Sequence, residues 1–433
     1  MRSIYWEKKE FKWWILLLCA YHFFPFITVQ GSIVMYAWAY AFPMLYIALN
    51  INYLKRIFSI ISSSEILVPI ISILLLSCFS ILIPVTYGTS DLTYLTGAIM
   101  TMIKIMIRML FVVLVILKHV PNATKETYMK YFIFSCCLYI LGTIIMLVVP
   151  QIKDVFYNLV KESELSKELA LDSRYNTRYG WGGFSGFEYT FKCVIAIIFN
   201  NYLIEKNIKN TKIWWMLSVT VVLLIGTLFY GRIGFLVAML VMLALCVRLL
   251  KKRPKILLIA IIGVVGAAIG LLVLQARNET IRAWFEWAFD LFLTFFETGK
   301  LETGSSNVLL DRMLFIPEIK TILMGDGMYS TATGYYMETD SGLMRPLLFG
   351  GIVFALLRYF SFYILLAISI IKNKVCKEIK AMYLWIGITC FIFEIKGEII
   401  FSCLPIVLWL GIFKYFTKWR KKDGTRLKLQ ETN

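Results

Sequence analysis

Among the arginines outside the long apolar runs of this sequence or at their ends, five are candidates for binding a ligand: Arg174, Arg178, Arg232, Arg312 and Arg345. The planar guanidinium of arginine binds phosphate through two parallel hydrogen bonds, which the ammonium group of lysine cannot form. The first two are followed by YGWGGFSGFEYTFK, whose glycines allow close approach and whose aromatic rings can stack on sugars. This set of side chains predicts a binding site for an anionic ligand.

Two carboxylates are candidates for proton transfer. Asp340 lies in the stretch TDSGLMRPLLFGGI, and Glu188 lies at the start of an apolar run. A carboxylate within hydrogen-bond reach can accept the proton of an attacking hydroxyl, and we favour Asp340 for this catalytic role. Each has a structural alternative, since Asp340 can orient Arg345 and Glu188 can pair with Lys192 four residues later.

Histidine and cysteine, the ligands that dominate zinc sites, are absent from the two segments that carry most of these residues. The chain has two histidines, His22 and His119, which fall in an apolar run and in a Lys-containing loop. The nine cysteines also lie outside the two segments, at 150–186 and 276–345. A catalytic zinc site and a disulfide framework are therefore not expected, and no metal or cofactor is predicted.

Composition identifies the elements that must position these residues. Hydrophobic residues make up 59% of the chain and charged residues 17%, whereas soluble proteins are about 45–50% apolar. We predict an all-α integral membrane protein in a single domain, residues 1–433, because about 20 apolar residues span a bilayer as a helix. Twelve spans are predicted, at 13–29, 32–50, 66–86, 96–117, 131–149, 187–204, 213–229, 233–248, 256–275, 346–371, 381–394 and 399–416.

The distribution of Lys and Arg predicts the orientation of the spans. Lys-rich loops alternate with loops that are poor in Lys, which places both termini in the cytoplasm and the 150–186 and 276–345 segments outside. The formal net charge of +18 then reflects this topology and attraction to anionic membrane lipids, and nucleic acid is not expected as a partner. Outer arginines oppose the orientation rule, and an anionic ligand on the outer face would explain them.

The 276–345 segment contains two further patterns. Polar residues recur every four positions in an aromatic helix, which favours a helix at the outer interface over a plain extension of the ninth span: Arg282, Glu286, Asp290 and Thr294. Gly325 and Gly327 form a Gly-Asp-Gly turn, whose backbone N–H groups can bind an anion or a sugar hydroxyl. An ordinary turn is the alternative.

Several charges lie within predicted spans or close to their ends. Lys104 and Arg108 share one face of the fourth span, and Arg358, Glu394, Lys396 and Glu398 belong to the last three spans or the turn between them. A charge at mid-bilayer costs about 2.5–3.5 kcal/mol on insertion scales, so such charges pair, face the bundle interior or line a wet cavity. Lys104 and Arg108 are therefore candidates for binding substrate, with pairing between helices as the alternative.

Three short motifs in this order resemble the bacterial O-antigen and capsule polymerases of the Wzy type. They are the LFYGRIGF turn with Arg232, DRMLFIPEIKTILMGDG with Arg312, and TDSGLMRPLLFGGI running into a span. The resemblance covers the layout of about residues 90–415. Gly325 follows Arg312 by thirteen residues, whereas the family spacing is about ten.

The resemblance implies a GT-C-like glycosyltransferase of the bacterial inner membrane, independent of metal. Such an enzyme transfers a growing glycan from undecaprenyl diphosphate to the non-reducing end of a new lipid-linked repeat unit. In such an enzyme we expect Arg232, Arg312 and Arg345 to contact the diphosphate, and Arg174 and Arg178 to lie in a loop that closes over either glycan. The expected partners are the lipid-linked donor and acceptor, membrane lipids, a chain-length regulator and a flippase.

Three other functions remain open. A flippase for lipid-linked units also has about twelve spans and interior positive charges. An O-antigen ligase carries His where this chain has Asp340 before Ser341 and Gly351, which argues for a polymerase. A membrane acyltransferase that modifies sugars usually relies on an outer histidine, which this chain does not offer.

Overall fold

The computed structural model describes residues 11–50, 64–184, 186–208, 213–255, 258, 279–300, 303–332, 334–372, 377–411 and 413. It is about 81% helical and has almost no sheet, which confirms the all-α class. Seven helices in the described residues are long and apolar enough to cross a membrane: Ser32–Leu49, Leu67–Tyr87, Tyr94–His119, Lys125–Val148, Ile213–Tyr230, Arg232–Lys252 and Met344–Ile371.

Four more predicted spans coincide with helices that are shorter or more polar: Trp13–Phe23, Phe187–Lys206, Lys377–Lys396 and Ile400–Gly411. Apart from residue 258, the predicted ninth span at 256–275 lies outside the described residues, as do residues 51–63, 373–376 and 414–433 of the predicted cytoplasmic segments. The chain is membrane-embedded, while twelve spans, the GT-C arrangement and the cytoplasmic termini stay predictions.

Between these helices lie shorter elements. The 150–186 segment has the helices Pro150–Leu159 and Glu164–Leu171, the 3₁₀ helix Ser173–Arg178, and a hairpin of β1 (Tyr179–Gly180) and β2 (Gly183–Phe184). The later segment has the helices Glu279–Thr298, Gly304–Val308 and Ile319–Met324, the π-helical turn Leu309–Met313, and a hairpin of β3 (Ser330–Thr331) and β4 (Gly334–Tyr335), followed by the 3₁₀ turn Tyr336–Glu338.

The contacts divide the chain into two units. The first unit comprises Met1–Leu18, Ala37–Lys130 and Val308–Asn433, and the second comprises Cys19–Tyr36 and Tyr131–Asn307. In the first, the Met344–Lys372 helix packs against the helices Ser64–Tyr87, Ile319–Met324 and Lys377–Lys396. In the second, the Phe187–Lys206 helix is buried from Tyr189 to Ile204 and packs against the helices Ile213–Tyr230 and Arg232–Lys252.

The Met344–Lys372 helix is broken near its start. Gly350 has φ −134° and Gly351 has φ +71°, both outside the helical region. The interrupted ladder leaves the Leu348 and Phe349 carbonyls to accept hydrogen bonds from the N–H groups of Asp326 (2.7 Å) and Gly327 (3.0 Å). The Gly-Asp-Gly turn therefore fits into the break.

We predict that Gly351→Ala destabilises the protein. A Cβ at residue 351 would lie 2.5 Å from the Leu323 carbonyl oxygen, and the backbone there has a conformation that costs a residue other than glycine about 1–3 kcal/mol. Gly411→Ala is the matched control, because a Cβ at Gly411 meets nothing within 4 Å. Thermal unfolding in detergent should show a lower midpoint for Gly351→Ala alone. Equal midpoints would contradict this account of the break.

Candidate functional site

In the second unit, Arg232 is fixed by a turn without room for larger side chains. The Ile213–Tyr230 helix ends two residues before Arg232, with only Gly231 between them, and Arg232 begins the next helix. The Thr190 hydroxyl donates to the Thr227 and Gly231 carbonyls, each at 3.2 Å, and a Cβ at Gly234 would collide with that hydroxyl. The turn directs Arg232 to Asp290, whose carboxylate oxygen lies 2.6 Å from Nη1.

Arg178 ends the 3₁₀ helix Ser173–Arg178 and lies beside Arg232. Its guanidinium carbon is 4.6 Å from the centre of the Trp287 ring and 4.8 Å from that of Tyr175. The guanidinium carbon of Arg232 is 5.3 Å from the same Trp287 ring. Two cations are thus held against one indole. We call Tyr175, Arg178, Arg232, Trp287 and Asp290 the arginine cluster.

The charge of Arg178 is not balanced by a carboxylate among the described residues. Its Nε is buried and has no hydrogen-bond partner there. Burial lowers the pKa of Arg178 to about 10, and the neighbouring charge of Arg232 acts in the same direction. The side chain is still protonated at neutral pH, so the cluster keeps an uncompensated positive charge in a partly buried place.

The Glu279–Thr298 helix supplies the aromatic wall of this cluster. Trp284, Trp287 and Ala288 are buried and pack against Tyr175 and Phe229, among others. The residues of the predicted polar stripe make different contacts. Asp290 binds Arg232, whereas Arg282 and Glu286 form an exposed ion pair at 3.0 Å. A place at the membrane interface stays a prediction for this helix.

Arg174 differs from Arg178 although the sequence treats them alike. Its side chain is 60% exposed, and its Nη2 lies 2.6 Å from a carboxylate oxygen of Asp172. The 3₁₀ helix therefore presents one arginine to water and turns the other against Trp287. Glu188 has its predicted structural partner, since it lies 2.9 Å from Lys192, which also donates to the Phe23 carbonyl at 2.8 Å.

In the first unit, Arg358 and Glu394 form a fully buried ion pair. Nη1 and Nη2 of Arg358 lie 2.7 and 3.1 Å from the two carboxylate oxygens. Glu394 also accepts the N–H groups of Ile399 and Ile400 at 2.6 and 2.7 Å, where the Ile400–Gly411 helix begins. Pairing between helices is one of the outcomes expected for charges within the predicted spans.

Arg345 pairs with Glu398, where the sequence alternative had Asp340. Its Nη1 lies 2.7 Å from the Glu398 carboxylate, and the Tyr329 hydroxyl donates to the same oxygen. The guanidinium carbon is 3.8 Å from the ring centre of Tyr329 and 3.9 Å from that of Tyr335. Two rings and a carboxylate therefore hold Arg345, which is only 8% exposed.

Asp340 is left without such a partner. Its Oδ1 is buried and accepts no hydrogen bond within the described part of the chain. Burial raises the pKa of Asp340, while the charges of Lys396 and Arg345 oppose that rise. The two residues that precede Thr339, Met337 and Glu338, have φ +55° and +53°, a strained left-handed backbone for residues other than glycine.

The other predicted binding residues of the first unit are separate from this carboxylate. Arg312 is exposed in the π-helical turn Leu309–Met313, and Lys104 is exposed in its span. Arg108 is buried next to Tyr40, at 5.7 Å from its ring centre, and its Nε and Nη1 have no partner in the described residues.

The turn glycines complete the predicted binding residues. The N–H groups of Gly325, Asp326 and Gly327 all donate hydrogen bonds to backbone carbonyls, so none of them points to a ligand. This matches the ordinary-turn alternative for Gly325 and Gly327.

The sequence did not indicate four aromatic residues of these clusters, Tyr175, Trp287, Tyr329 and Tyr335, and it singled out Asp290 and Glu398 without a binding role. Asp290 and Trp287 are three residues apart on one helix, a spacing that puts them on one face. That spacing could have suggested an aromatic and an acid at one site. The partners across the chain follow from the tertiary fold alone.

We predict that Arg358→Met destabilises the first unit strongly. Removing one member of a buried ion pair leaves an unpaired buried charge and costs about 3–5 kcal/mol. The matched control is Arg282→Met, because the Arg282–Glu286 pair is exposed and such pairs contribute at most about 1 kcal/mol. Thermal unfolding followed by tryptophan fluorescence should separate the two variants clearly. A similar midpoint for both would refute the structural role of the buried pair.

Comparisons with known proteins give no match: no family model, no curated protein and no solved structure matches this chain.

Proposed function

We propose that this protein is a polysaccharide polymerase of the bacterial inner membrane, for O-antigen or capsule. It transfers the growing glycan from undecaprenyl diphosphate to the non-reducing end of a new lipid-linked repeat unit, on the outer face and without a metal. The proposal joins the resemblance in the sequence motifs to the chemistry that the two groups of residues can perform.

The observation that carries the proposal is the uncompensated charge of Arg178 beside Arg232. Asp290 neutralises one of the two guanidiniums, and no carboxylate in the described residues neutralises the other. A diphosphate supplies two or three negative charges and several acceptor oxygens, which suit two guanidiniums held side by side. Trp287 and Tyr175 hold the Arg178 side chain in place, so little conformational entropy is lost when an anion binds.

Such a site also fits the chemistry of the leaving group. Undecaprenyl diphosphate is a stable anion, so its departure does not require a general acid. Positive charge that is already oriented stabilises the charge that develops on the diphosphate as the glycosidic bond breaks. In this proposal Arg178 and Arg232 provide that charge.

The acceptor hydroxyl must lose a proton as it attacks the anomeric carbon. We propose that Asp340 accepts this proton as the general base. Its Oδ1 has no hydrogen-bond partner in the described residues, and burial raises its pKa. A raised pKa brings a carboxylate closer to the pH at which a general base works best. Glu188 is the weaker candidate because it is paired with Lys192.

A flippase is the second candidate function. Arg108, a buried cation in a span whose Nε and Nη1 lack partners in the described residues, is the observation that favours it. Purified protein in detergent should join labelled lipid-linked repeat units if it is a polymerase, whereas a flippase makes no bond. An O-antigen ligase would instead require lipid A-core as the acceptor.

We predict that Arg178→Ala greatly reduces polymerisation while Arg174→Ala changes it little. Loss of one charge-stabilising donor typically lowers the rate by about 10²–10³-fold, and Arg174 is exposed and paired with Asp172. Polymer length and initial rate in the reconstituted reaction are the measurements, at matched protein levels. Full activity of Arg178→Ala would exclude the proposed diphosphate site.

We predict that Asp340→Asn abolishes polymer formation and that Glu188→Gln does not. A base must be deprotonated to act, so a raised pKa of Asp340 makes activity fall, as pH is lowered, at a higher pH than for an ordinary aspartate. The pH dependence of the initial rate measures this limb. Normal chain length from Asp340→Asn would move the role of base to Glu188 or to the substrate.

A further inference from the structure

We propose that residues 314–324 form a re-entrant segment whose apolar side chains insert into the acyl boundary of the phospholipid bilayer. The sequence places these residues within a long loop outside the membrane. The inference concerns the first unit alone and is independent of the proposed polymerase activity.

The depth of the segment follows from what its end contacts. The Ile319–Met324 helix leads directly into the Gly-Asp-Gly turn, which donates hydrogen bonds to the Leu348 and Phe349 carbonyls. These carbonyls belong to the fifth and sixth residues of the Met344–Ile371 span, about 6–8 Å along the helix axis from its first residue. The turn therefore lies at the depth of the second turn of a membrane-spanning helix, not beyond its first residue.

Two further contacts agree with this depth. The hydroxyl of Tyr87, the last residue of the Leu67–Tyr87 span, donates to the Met324 carbonyl at 3.2 Å. Gly351 packs so closely on the segment that a Cβ there would meet the Leu323 carbonyl oxygen. The end of the short helix is thus held between two apolar helices at the level where one of them ends.

The exposed apolar side chains of the segment suit lipid better than water, and the exposed charges on it are Glu318 and Lys320. Ile316 is 91% exposed, Ile319 76%, Met324 62% and Leu323 58%. Removing such a side chain from water contributes about 1.5–3 kcal/mol when it is complete. Four large apolar side chains exposed within nine residues therefore indicate a surface that contacts an apolar partner, either a membrane or another protein.

The bilayer is the occupant that this surface fits. The neighbouring spans expose apolar side chains of the same kind, among them Val85 and Val353, at 70% and 67%. The segment continues that lipid-facing surface. Lys320 is exposed on the same short helix, where its alkyl stem can lie along the acyl boundary while its ammonium group meets anionic headgroups.

Two methionines of the unmodified protein provide a matched test. Met324 and Met337 are 62% and 52% exposed in the same unit, and only Met324 belongs to the proposed insertion. In lipid nanodiscs, brief exposure to hydroxyl radicals followed by mass spectrometry should oxidise Met337 several-fold faster than Met324, because hydrocarbon excludes aqueous radicals. Equal rates for the two residues would overturn the proposal.

A second measurement separates lipid from protein as the covering partner. In a cysteine-free background, Ile319→Cys labelled with a fluorophore should be quenched by nitroxide-labelled phospholipid and protected from iodide, with Ala332→Cys in the exposed hairpin turn as the control. Protection from both quenchers would show a protein contact, such as a second copy of the chain, and would also overturn the proposal. Neither readout depends on catalytic activity.

Discussion

The buried ion pair between Arg358 and Glu394 is the interaction on which the first unit depends. It joins the Met344–Lys372 helix to the end of the Lys377–Lys396 helix, and Glu394 also binds two N–H groups where the Ile400–Gly411 helix begins. Arg358 reaches the Gly342 carbonyl as well, at 3.3 Å. One pair thus fixes the loop between Asp340 and Arg345 and the turn that carries Glu398. Loss of this ion pair would remove the contact that holds both the loop with Asp340 and the turn with Glu398 in place.

Charge compensation distinguishes the arginines of this protein from one another. Arg358 and Arg345 each have a carboxylate partner, and Arg174 has one at the surface. Arg178 has none in the described residues, although it is partly buried and lies beside Arg232. Burial without compensation is costly for stability, and such places are characteristic of ligand sites. This difference in pairing distinguishes Arg178 as the arginine most suited to bind an anion.

The class of fold could be predicted from the sequence because apolar length and helical capacity are local properties. The turn at Arg232 and the helical character of the 279–298 region followed from local patterns in the same way. The pairing of Arg345 with Glu398 could not be predicted, since 53 residues separate them and Asp340 is closer in the chain. The roles of Gly350 and Gly351 were also hidden, because the turn that fills the break comes from residues 325–327. Local composition does not specify which distant backbone group will satisfy a carbonyl.

The break in the Met344–Lys372 helix has a consequence for biosynthesis. A span with unsatisfied carbonyls is unfavourable in hydrocarbon, so this helix needs the N–H groups of Asp326 and Gly327 when it enters the bilayer. The chain is made from its N-terminus, and the turn therefore leaves the ribosome before the span that requires it. Because the turn precedes the span in the sequence, the N–H donors are already synthesised when the carbonyls of the span require them. A circularly permuted chain that placed the turn after the span would lose that advantage while keeping every contact of the final fold.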